Sequence, residues 1–372
     1  MPALPTPPGR FAALDDLLGD ITHRGLARSL RPVQPTGATT ALDEEGRALT
    51  VFCSNDYLGI AHDPAMQAAW TGAAAGSARL ISGDRPAHHA LEHALSERFG
   101  QPATLLSSGW HANLALLGTV LQQSDLVSSD IYNHASIIDG LRLTRCRRVI
   151  LPHRSTAVPE DARLHCTETL FSMDGHTADL TELAAVIGER WLMVDEAHTV
   201  GALGPDGRGL AADNGVQPDF LVGTLGKAYG AYGAFVVGPP VLRDLLLSRG
   251  RAFIFTTGLP EAACHAALVG LRLATDARRD QLAANTARLR KALKDIGLSP
   301  LGAHHIVPIV LGPPTMDISQ KLFQHGFLIP GIRPPTVPPG QERLRITVSA
   351  AHRPDQLDRL VDTLDLVLRH QP

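Results

Sequence analysis

The chain has 372 residues, of which 44% are hydrophobic and 5% aromatic, and its formal net charge is −3. This composition is that of a globular protein with a sizeable core, and it excludes a disordered or strongly basic nucleic-acid-binding chain. Four separated cysteines without Cys-x-x-Cys spacing, and no apolar run long enough to cross a bilayer, predict a cytoplasmic protein without disulfides, a metal site or a membrane anchor.

The N-terminal region contains prolines within residues 1–10, where a signal peptide needs its apolar segment, so we expect no signal peptide. Residues 11–30 alternate apolar and charged positions at helical spacing and predict an amphipathic helix. Arg24, Arg28 and Arg31 lie along this predicted helix. Arginines on a short helix normally face solvent, and a binding role for them requires an anionic partner.

A candidate anion-binding turn follows a short buried strand predicted over residues 103–106. The turn contains Ser108, Gly109 and Trp110, and it precedes a helix predicted over residues 114–121. Strand, small-residue turn and helix direct free backbone N–H groups and the positive helix end toward an anion, typically a phosphate. Many connections of this kind bind nothing, so the turn alone does not establish a site.

The middle of the chain alternates strands and helices, with polar residues directly after the strands predicted at residues 125–130 and 191–194. His134 follows the first of these strands, and Asp195 and His198 follow the second. Ligands bind at the carboxyl ends of strands in open α/β sheets, and an aspartate there accepts a hydrogen bond from a protonated ring nitrogen. The run Asp-Glu-Ala-His also occurs in helicases, but those need a Gly-Lys-Ser/Thr loop that this sequence lacks.

Lys227 lies between two apolar runs, residues 220–222 and 234–237, which predict buried strands. Desolvation between such strands lowers an amine pKa toward the neutral, nucleophilic form that imine formation requires. Thr224 and Gly226 precede the lysine, and the glycine permits close approach of a ligand. A strand-end lysine on a glycine-rich loop, without catalytic function, remains the alternative on this stretch alone.

The C-terminal part contains a long helical region over residues 261–296 and then shorter elements. Strands are predicted near residues 306–311 and 344–348, and helices near 317–325 and 354–368. The alternation along the chain predicts an α/β fold with a mainly parallel central sheet and a smaller α+β C-terminal domain. The predicted parts are an N-terminal helical segment at residues 1–45, a large domain at 46–274 and a small domain at 275–372.

Three of these signals have the order and spacing of a known family. A Ser-Gly-aromatic turn at residues 108–110 precedes Asp-x-x-His at 195–198, and Thr-x-Gly-Lys follows at 224–227. The chain therefore resembles, over nearly its whole length, the α-oxoamine synthases, which are pyridoxal-phosphate enzymes of fold type I, the aspartate aminotransferase architecture. The run Gly-Ile-Arg-Pro-Pro-Thr-Val-Pro-Pro-Gly at residues 331–340 resembles the branch that condenses L-alanine with a pimeloyl thioester.

The resemblance implies a role toward pyridoxal 5'-phosphate for each matching residue. Lys227 matches the lysine that carries the cofactor and then acts as a base, and Asp195 matches the acid that pairs with the pyridinium nitrogen. His134 matches the histidine stacked on the cofactor ring, and His198 matches the residue beside its phenolic oxygen. Further cofactor contacts are implied for Ser108, Gly109, Trp110, Glu168, Ser172, Thr224, Thr256 and Thr257.

The same resemblance implies an acyltransferase of biotin biosynthesis whose substrates are L-alanine and a pimeloyl thioester of acyl carrier protein or coenzyme A. His134, Arg28, Arg333 and Thr336 match substrate contacts, and Arg333 would receive the amino-acid carboxylate through its guanidinium fork. It also implies a homodimer, in which residues 255–258 of one subunit approach the phosphate bound by the other.

Alternatives remain within and outside this branch. The loop at residues 72–79 has alanines where the family commonly has glycine and serine, so the choice of amino acid is less defined than the reaction. Other α-oxoamine synthases condense glycine with acetyl-CoA or succinyl-CoA, or serine with a fatty acyl thioester. A non-catalytic scaffolding subunit is the alternative from another class, although the retained Lys227, Asp195, His198 and His134 argue against it.

Overall fold

A computed structural model describes residue 9 and residues 11–370 of the chain. The expectation that residues 1–10 contain no signal peptide therefore lies outside the described residues, apart from residue 9. Within the described ranges, no helix has the length and apolar character that a bilayer span requires.

The described residues form fourteen β-strands, which fall into three sheets. In chain order the strands are β1 (Gln34–Gly37), β2 (Thr40–Leu42), β3 (Ala48–Val51), β4 (Ala103–Leu106), β5 (Leu126–Asp130), β6 (Arg147–Leu151), β7 (Leu164–Glu168), β8 (Trp191–Asp195), β9 (Phe220–Thr224), β10 (Ala234–Val237), β11 (Ile306–Val310), β12 (Phe327–Leu328), β13 (Gly331–Ile332) and β14 (Arg343–Thr347).

The same described residues form thirteen α-helices, together with a π-helical turn at Arg79–Gly83 and a 3₁₀ turn at Pro205–Gly207. The helices are α1 (Ala12–His23), α2 (Pro64–Ala69), α3 (Pro86–Phe99), α4 (Gly109–Val120), α5 (Ala135–Thr144), α6 (Leu180–Ile187), α7 (Leu210–Asp213), α8 (Pro240–Arg249), α9 (Arg251–Ile254), α10 (Glu261–Leu273), α11 (Asp276–Asp295), α12 (Thr315–Gln324) and α13 (Pro354–Arg369).

The largest sheet has seven strands in the order β4-β10-β9-β8-β7-β5-β6. β10 is antiparallel to both of its neighbours, whereas the pairs from β9 to β6 are all parallel. The mainly parallel central sheet predicted from the sequence is therefore present. Because β5, β7, β8 and β9 run in one direction, their carboxyl ends meet at one edge, where ligands bind in sheets of this type.

Both faces of this sheet are buried, which explains the continuous apolar runs of its strands. In β8, Leu192 and Val194 belong to one hydrophobic cluster, and Met193 belongs to a second cluster on the opposite face. Leu116 of α4 and Ile137 of α5 pack in that second cluster. Since side chains alternate across a strand, the sheet is held between two cores and its carboxyl edge is firmly placed.

Two smaller sheets join the ends of the chain. β11, β14 and β13 form an antiparallel sheet, and β12 pairs in parallel with β3 of the N-terminal hairpin. Residues 52–57, which follow β3, are then fixed by backbone bonds from Thr347 to Phe52 at 2.8 Å and from Ala350 to Tyr57 at 2.7 Å. These contacts fix residues 52–57 between the small sheets and the edge of the large sheet.

Two helix predictions are wrong in one boundary each, and a third region is divided. The N-terminal helix ends at His23 and not at residue 30, because Gly25 adopts a left-handed φ of 65° and stops it. Arg28 and Arg31 therefore lie beyond the helix. The helical region predicted over 261–296 has these outer bounds and consists of two helices, because Thr275 between α10 and α11 is extended. α4 begins at Gly109, five residues earlier than predicted.

Candidate active site

A cavity of about 200 Å³ lies at the carboxyl edge of the central sheet. β7, β8 and β9 end there with Glu168, Asp195 and Thr224, and Glu168 stands directly opposite Asp195 in the strand register. Predicted site residues that line the cavity are Gly109, Trp110, His134, Glu168, Asp195, His198, Thr224 and Lys227.

The other predicted site residues do not line this cavity. Ser108 is the N-cap residue of α4 beside it, and the Ser172 carbonyl accepts a hydrogen bond from Arg345 Nε at 2.5 Å. Thr256 and Thr257 border a separate narrow crevice together with Arg79.

The predicted substrate contacts other than His134 also lie outside the cavity lining. Arg28 and Thr336 are exposed, and Arg333 Nη2 donates to the Ala27 carbonyl at 2.9 Å. The described chain thus brings eight of the predicted cofactor contacts together at one cavity, and of the predicted substrate contacts it brings only His134 there.

Lys227 lies in the loop that joins β9 to β10, two neighbouring antiparallel strands. Its Nζ is 2.8 Å from Nε2 of His198. Burial lowers the pKa of Lys227 to about 8, against the opposing effect of Asp195 and Glu168, whose negative charge favours the ammonium form. The lysine is therefore poised to present a neutral, nucleophilic amine near neutral pH.

His198 is buried and linked to both sides of the cavity. Its Nδ1 is 2.6 Å from the hydroxyl of Tyr57, which donates to Asn55 Oδ1 at 3.1 Å. The ammonium form of Lys227 has only donors, so Nε2 of the neutral His198 ring accepts from it and Nδ1 carries the ring proton toward Tyr57. Burial, followed by the Lys227 charge, sets the pKa of His198 well below its ordinary value, so the ring is neutral.

His134 is the N-cap residue of α5 and keeps part of its ring exposed to the cavity. Its Nδ1 accepts from the Ser136 backbone N–H at 3.2 Å and lies 2.7 Å from the Ser136 hydroxyl. Trp110 meets the ring edge-on at a centroid distance of 6.1 Å. Desolvation lowers the pKa of His134, with Asp195 opposing, so the group is a neutral flat surface on one side of the cavity.

Two adjacent carboxylates at the end of β8 have opposite surroundings. Asp195 borders the cavity, and its Oδ1 accepts the Ala197 N–H at 2.9 Å. Glu196 is fully buried away from it, where it accepts the N–H groups of Leu210 at 3.1 Å and Ala211 at 2.7 Å. Burial raises the pKa of Glu196 to about 7. Glu196 therefore holds the start of α7, and Asp195 is the acid available to a ligand.

The lining fits a flat aromatic ligand with a phosphate and a ring nitrogen. Gly109 and Trp110 are the first residues of α4, whose leading N–H groups have no intrahelical acceptor and favour an anion. An added Cβ at Gly109 would meet no atom within 4 Å, so this approach to the helix end is open. Across the cavity, Asp195 forms no ion pair with the described residues, which leaves its carboxylate free for a protonated ring nitrogen.

Comparison with known proteins assigns the family. The sequence model of the family "Aminotransferase class I and II" matches residues 47–364. The chain belongs to this family. Among the curated proteins it is similar to the 8-amino-7-oxononanoate synthase of Anaeromyxobacter sp. (strain K). The two are 43% identical over an alignment of length 375, which covers 94% of this chain and 94% of that protein. The predicted resemblance to α-oxoamine synthases is confirmed.

Solved structures of class I and II aminotransferase relatives share the fold. The serine palmitoyltransferase of S. paucimobilis with a bound pyridoxal-phosphate–myriocin aldimine has a TM-score of 0.89 at 27% identity, covering 97% of this chain and 98% of that chain. The 8-amino-7-oxononanoate synthase of Francisella tularensis has a TM-score of 0.76 at 26% identity, covering 87% and 98%. The fold type I prediction is therefore confirmed.

Four residues of the site were not singled out from the sequence: Tyr57, Asn113, Ser136 and Arg345. Tyr57 lies in the loop that follows β3, and Asn113 follows the predicted anion-binding turn. Their functional contacts join residues 82–141 positions apart in the chain. Local patterns contain no signal for such contacts.

Proposed function

We propose that this chain condenses L-alanine with a pimeloyl thioester to give 8-amino-7-oxononanoate, carbon dioxide and a free thiol in biotin biosynthesis. Its 43% identity to an 8-amino-7-oxononanoate synthase over 94% of both chains is the observation that carries this proposal. The grouping of Lys227, Asp195, His198 and His134 around one cavity supports it, because a non-catalytic scaffolding subunit has no need of that arrangement.

Pyridoxal 5'-phosphate is the cofactor, and each part of the lining suits one part of it. The start of α4 and Thr224 would hold its phosphate, and Asp195 would hold the proton on its ring nitrogen. His134 would pack on a ring face, with Trp110 behind it. When bound, pyridoxal phosphate supplies an electron sink for negative charge on the amino-acid α-carbon.

Lys227 performs two tasks in this proposal. Its amine, with a pKa of about 8, first holds the cofactor and, once alanine has taken its place, removes the α-proton as a general base. His198 Nε2, at 2.8 Å, accepts a hydrogen bond from that amine and keeps it at the cavity wall. The new carbon–carbon bond forms as the thioester carbon–sulfur bond breaks, and the departing thiolate takes a proton. The alanine carboxylate then leaves as carbon dioxide, and the α-carbon, which keeps the electron pair of the broken bond, takes a proton in its place.

Substrate recognition is assigned to Arg28, Arg333 and Thr336, with His134 facing both substrate and cofactor. A guanidinium fork suits the alanine carboxylate, and Arg333 would exchange its bond to the Ala27 carbonyl for that carboxylate. Either acyl carrier protein or coenzyme A would deliver the pimeloyl group. The four cysteines are free, which supports a cytoplasmic location.

We further propose a homodimer in which Thr256 and Thr257 complete the phosphate site of the second subunit. In the single chain they lie outside the Lys227 cavity, next to Phe255, whose side chain is 71% exposed. Ile81 is 80% exposed as well. Covering such apolar side chains favours association. Sedimentation of an active monomer at assay concentration would contradict this arrangement.

The decisive assay supplies purified protein with alanine and a pimeloyl thioester, following thiol release together with the amino-ketone product. Parallel reactions contain glycine, or serine with a fatty acyl thioester, because a serine palmitoyltransferase shares the fold at a TM-score of 0.89. Alanine should be preferred over glycine, since one methyl group in a pocket contributes about 1–3 kcal/mol. Preferred turnover of serine or glycine would move the chain to another α-oxoamine synthase branch.

A further inference from the structure

Asn113 lies on α4, where it borders the cavity, and its side chain is 1% exposed. Its Nδ2 is 2.8 Å from Asp195 Oδ2 and 2.8 Å from Ser136 Oγ. An amide nitrogen has two hydrogens, so both are donated in these two bonds. Asn113 Oδ1 is also buried, and it has no hydrogen-bond partner among the described residues.

The orientation of this amide is determined by Asp195. Turning it by half a rotation would place Oδ1 against the Asp195 carboxylate, bringing two acceptors together at hydrogen-bond distance. The amide therefore satisfies its two donors and leaves its buried acceptor without a partner. A buried acceptor without a partner destabilises the fold. Asn113 is present despite this cost, which points to a role for its two donated hydrogen bonds.

The two bonds of Asn113 lead to the two groups that would enclose the cofactor ring. One bond fixes Asp195 Oδ2, while the Ala197 N–H fixes Oδ1. The other bond leads to the Ser136 hydroxyl, which in turn donates to Nδ1 of His134 at 2.7 Å. One side chain thus orients both the acid for the ring nitrogen and the imidazole for the ring face.

We infer that Asn113 is the positioning residue of the cofactor ring, holding the Asp195 carboxylate and, through Ser136, the His134 imidazole in the geometry that the ring requires. The inference rests on the proposed function, since it needs a cofactor whose ring nitrogen faces Asp195. Its effect is transmitted through Asp195 and His134. Lys227, His134 and Glu168 are titratable groups of the described chain that interact electrostatically with Asp195 across the cavity, and the buried Glu196 does so from the other side.

The test compares Asn113→Leu, which keeps the size of the side chain and removes both donors, with the unaltered protein. Cofactor-free protein is titrated with pyridoxal phosphate, and the absorbance of the bound cofactor is then followed against pH. We expect about 10- to 100-fold weaker cofactor binding, because hydrogen bonds to a charged group are lost. The pH midpoint of the absorbance reports protonation of the nitrogen that would link Lys227 to the cofactor. A proton on the ring nitrogen disfavours this second positive charge. If the ring-nitrogen proton is held less well, the midpoint should rise by about one unit.

Kinetics provide a further readout. In Asn113→Leu, kcat should fall while the KM for alanine changes less than about threefold. The reason is that the cofactor ring would stabilise negative charge that develops only in the transition state. Ser136→Ala, which leaves the bond to Asp195 intact, should weaken cofactor binding less and leave the absorbance midpoint unchanged. If Asn113→Leu does not fold, Asn113→Ala is measured in the same way.

Asn285→Leu is the matched control, since Asn285 is a buried asparagine whose Nδ2 donates to backbone carbonyls of the C-terminal region and whose Oδ1 accepts from Gln281 Nε2 at 2.9 Å, with no contact to the cavity. It should lower the unfolding temperature without altering cofactor affinity or the absorbance midpoint. Unchanged affinity and midpoint in Asn113→Leu would overturn the inference. If the unaltered protein fails to use alanine and pimeloyl thioester while Asn113→Leu still shows both changes, the proposed function fails and the inference stands.

Discussion

The cavity wall, formed by Lys227, Asp195, His198 and His134, differs sharply from the outer segment, formed by residues 24–31 and 331–340. In the wall, each group is held by the ends of neighbouring strands or by hydrogen bonds to buried residues. In the outer segment, Arg28 and Thr336 are exposed, and Arg333 bonds a backbone carbonyl. The groups predicted to act on the cofactor are thus preorganised at the edge of the sheet, whereas those proposed to select the substrate lie on loops outside the cavity lining.

Of the substitutions in the cavity wall, Lys227→Ala should have the largest effect on activity. We expect loss of the absorbance of the lysine-bound cofactor and at least about a 10⁴-fold loss of turnover, because the covalent anchor and the general base disappear together. Spectra before and after borohydride treatment, with a turnover assay, measure both effects. Lys291→Ala is the control, since Lys291 is an exposed residue paired with Asp295. A borohydride-reducible linkage in Lys227→Ala would show that another lysine holds the cofactor.

The protonation state of Lys227 in cofactor-free protein tests whether the cavity wall is preorganised. With a pKa of about 8 instead of the ordinary 10.5, its neutral fraction at pH 7 should be roughly 100-fold or more above that of an ordinary lysine. The rate at which cofactor-free protein captures pyridoxal phosphate should therefore rise with pH and level off above pH 8. Stopped-flow absorbance across pH 6–10 measures it, with Lys227→Ala as background. A rate still rising steeply at pH 10 would disprove the lowered pKa.

In the outer segment, Arg333→Ala should mainly weaken amino-acid binding. We expect the KM for alanine to rise about 10- to 100-fold, because a hydrogen-bonded charge pair with the carboxylate is lost. Cofactor affinity should stay within twofold, since Arg333 lies outside the cavity lining. Steady-state kinetics and cofactor titration separate the two effects. Equal losses in alanine binding and cofactor binding would place Arg333 in the wall instead.

His305 is a buried histidine that packs against Tyr57, behind His198 of the cavity wall. Its ring lies 4.1 Å from Tyr57, and both of its nitrogens are buried without partners among the described residues. Burial lowers the pKa of His305 from 6.5 to about 3. Its contribution to stability is therefore complete above pH 6.5 and is lost as the pH falls toward 3, by roughly 2 kcal/mol between pH 6.5 and pH 5.

His305→Leu should remove that loss, so the variant should resist acid better than the unaltered protein. Urea unfolding at pH 7 and pH 5 measures the difference, and His93→Leu is the control because His93 is an exposed histidine. An unchanged difference between the two pH values in His305→Leu would exclude His305 as a source of acid sensitivity.

The smallest effect is expected at Thr336, in the outer segment. Unaltered protein should use pimeloyl thioesters well and octanoyl thioesters poorly, because a polar site left unpaired by the apolar chain end disfavours binding. Thr336→Val should narrow this preference several-fold without changing cofactor affinity. Paired assays with the two donors measure it. Equal use of both donors by the unaltered protein would show that recognition of the acyl end is loose.

The sequence by itself determined five of the seven strands of the large sheet, all but β6 and β7, and the order of its chemical groups. Apolar runs bounded by glycine predicted β9 and β10 around Lys227, and polar residues after a strand predicted the edge that holds Asp195 and His198. These features are local, because burial on both sheet faces requires continuous apolar runs. The end of α1 at His23 was also encoded locally, by Gly25 just beyond it, although the apolar periodicity predicted a longer helix.

The tertiary structure alone decided which of two neighbouring carboxylates faces the ligand and what holds it. Alternation along β8 places Asp195 and Glu196 on different sides, but only the packing of α4 and α7 shows that Asn113 meets the first and Leu210 the second. The contacts of Tyr57 with His198 and of Asn113 with Asp195 span 141 and 82 positions. Such pairs depend on how the elements pack, because a side chain and its distant partner share no local pattern.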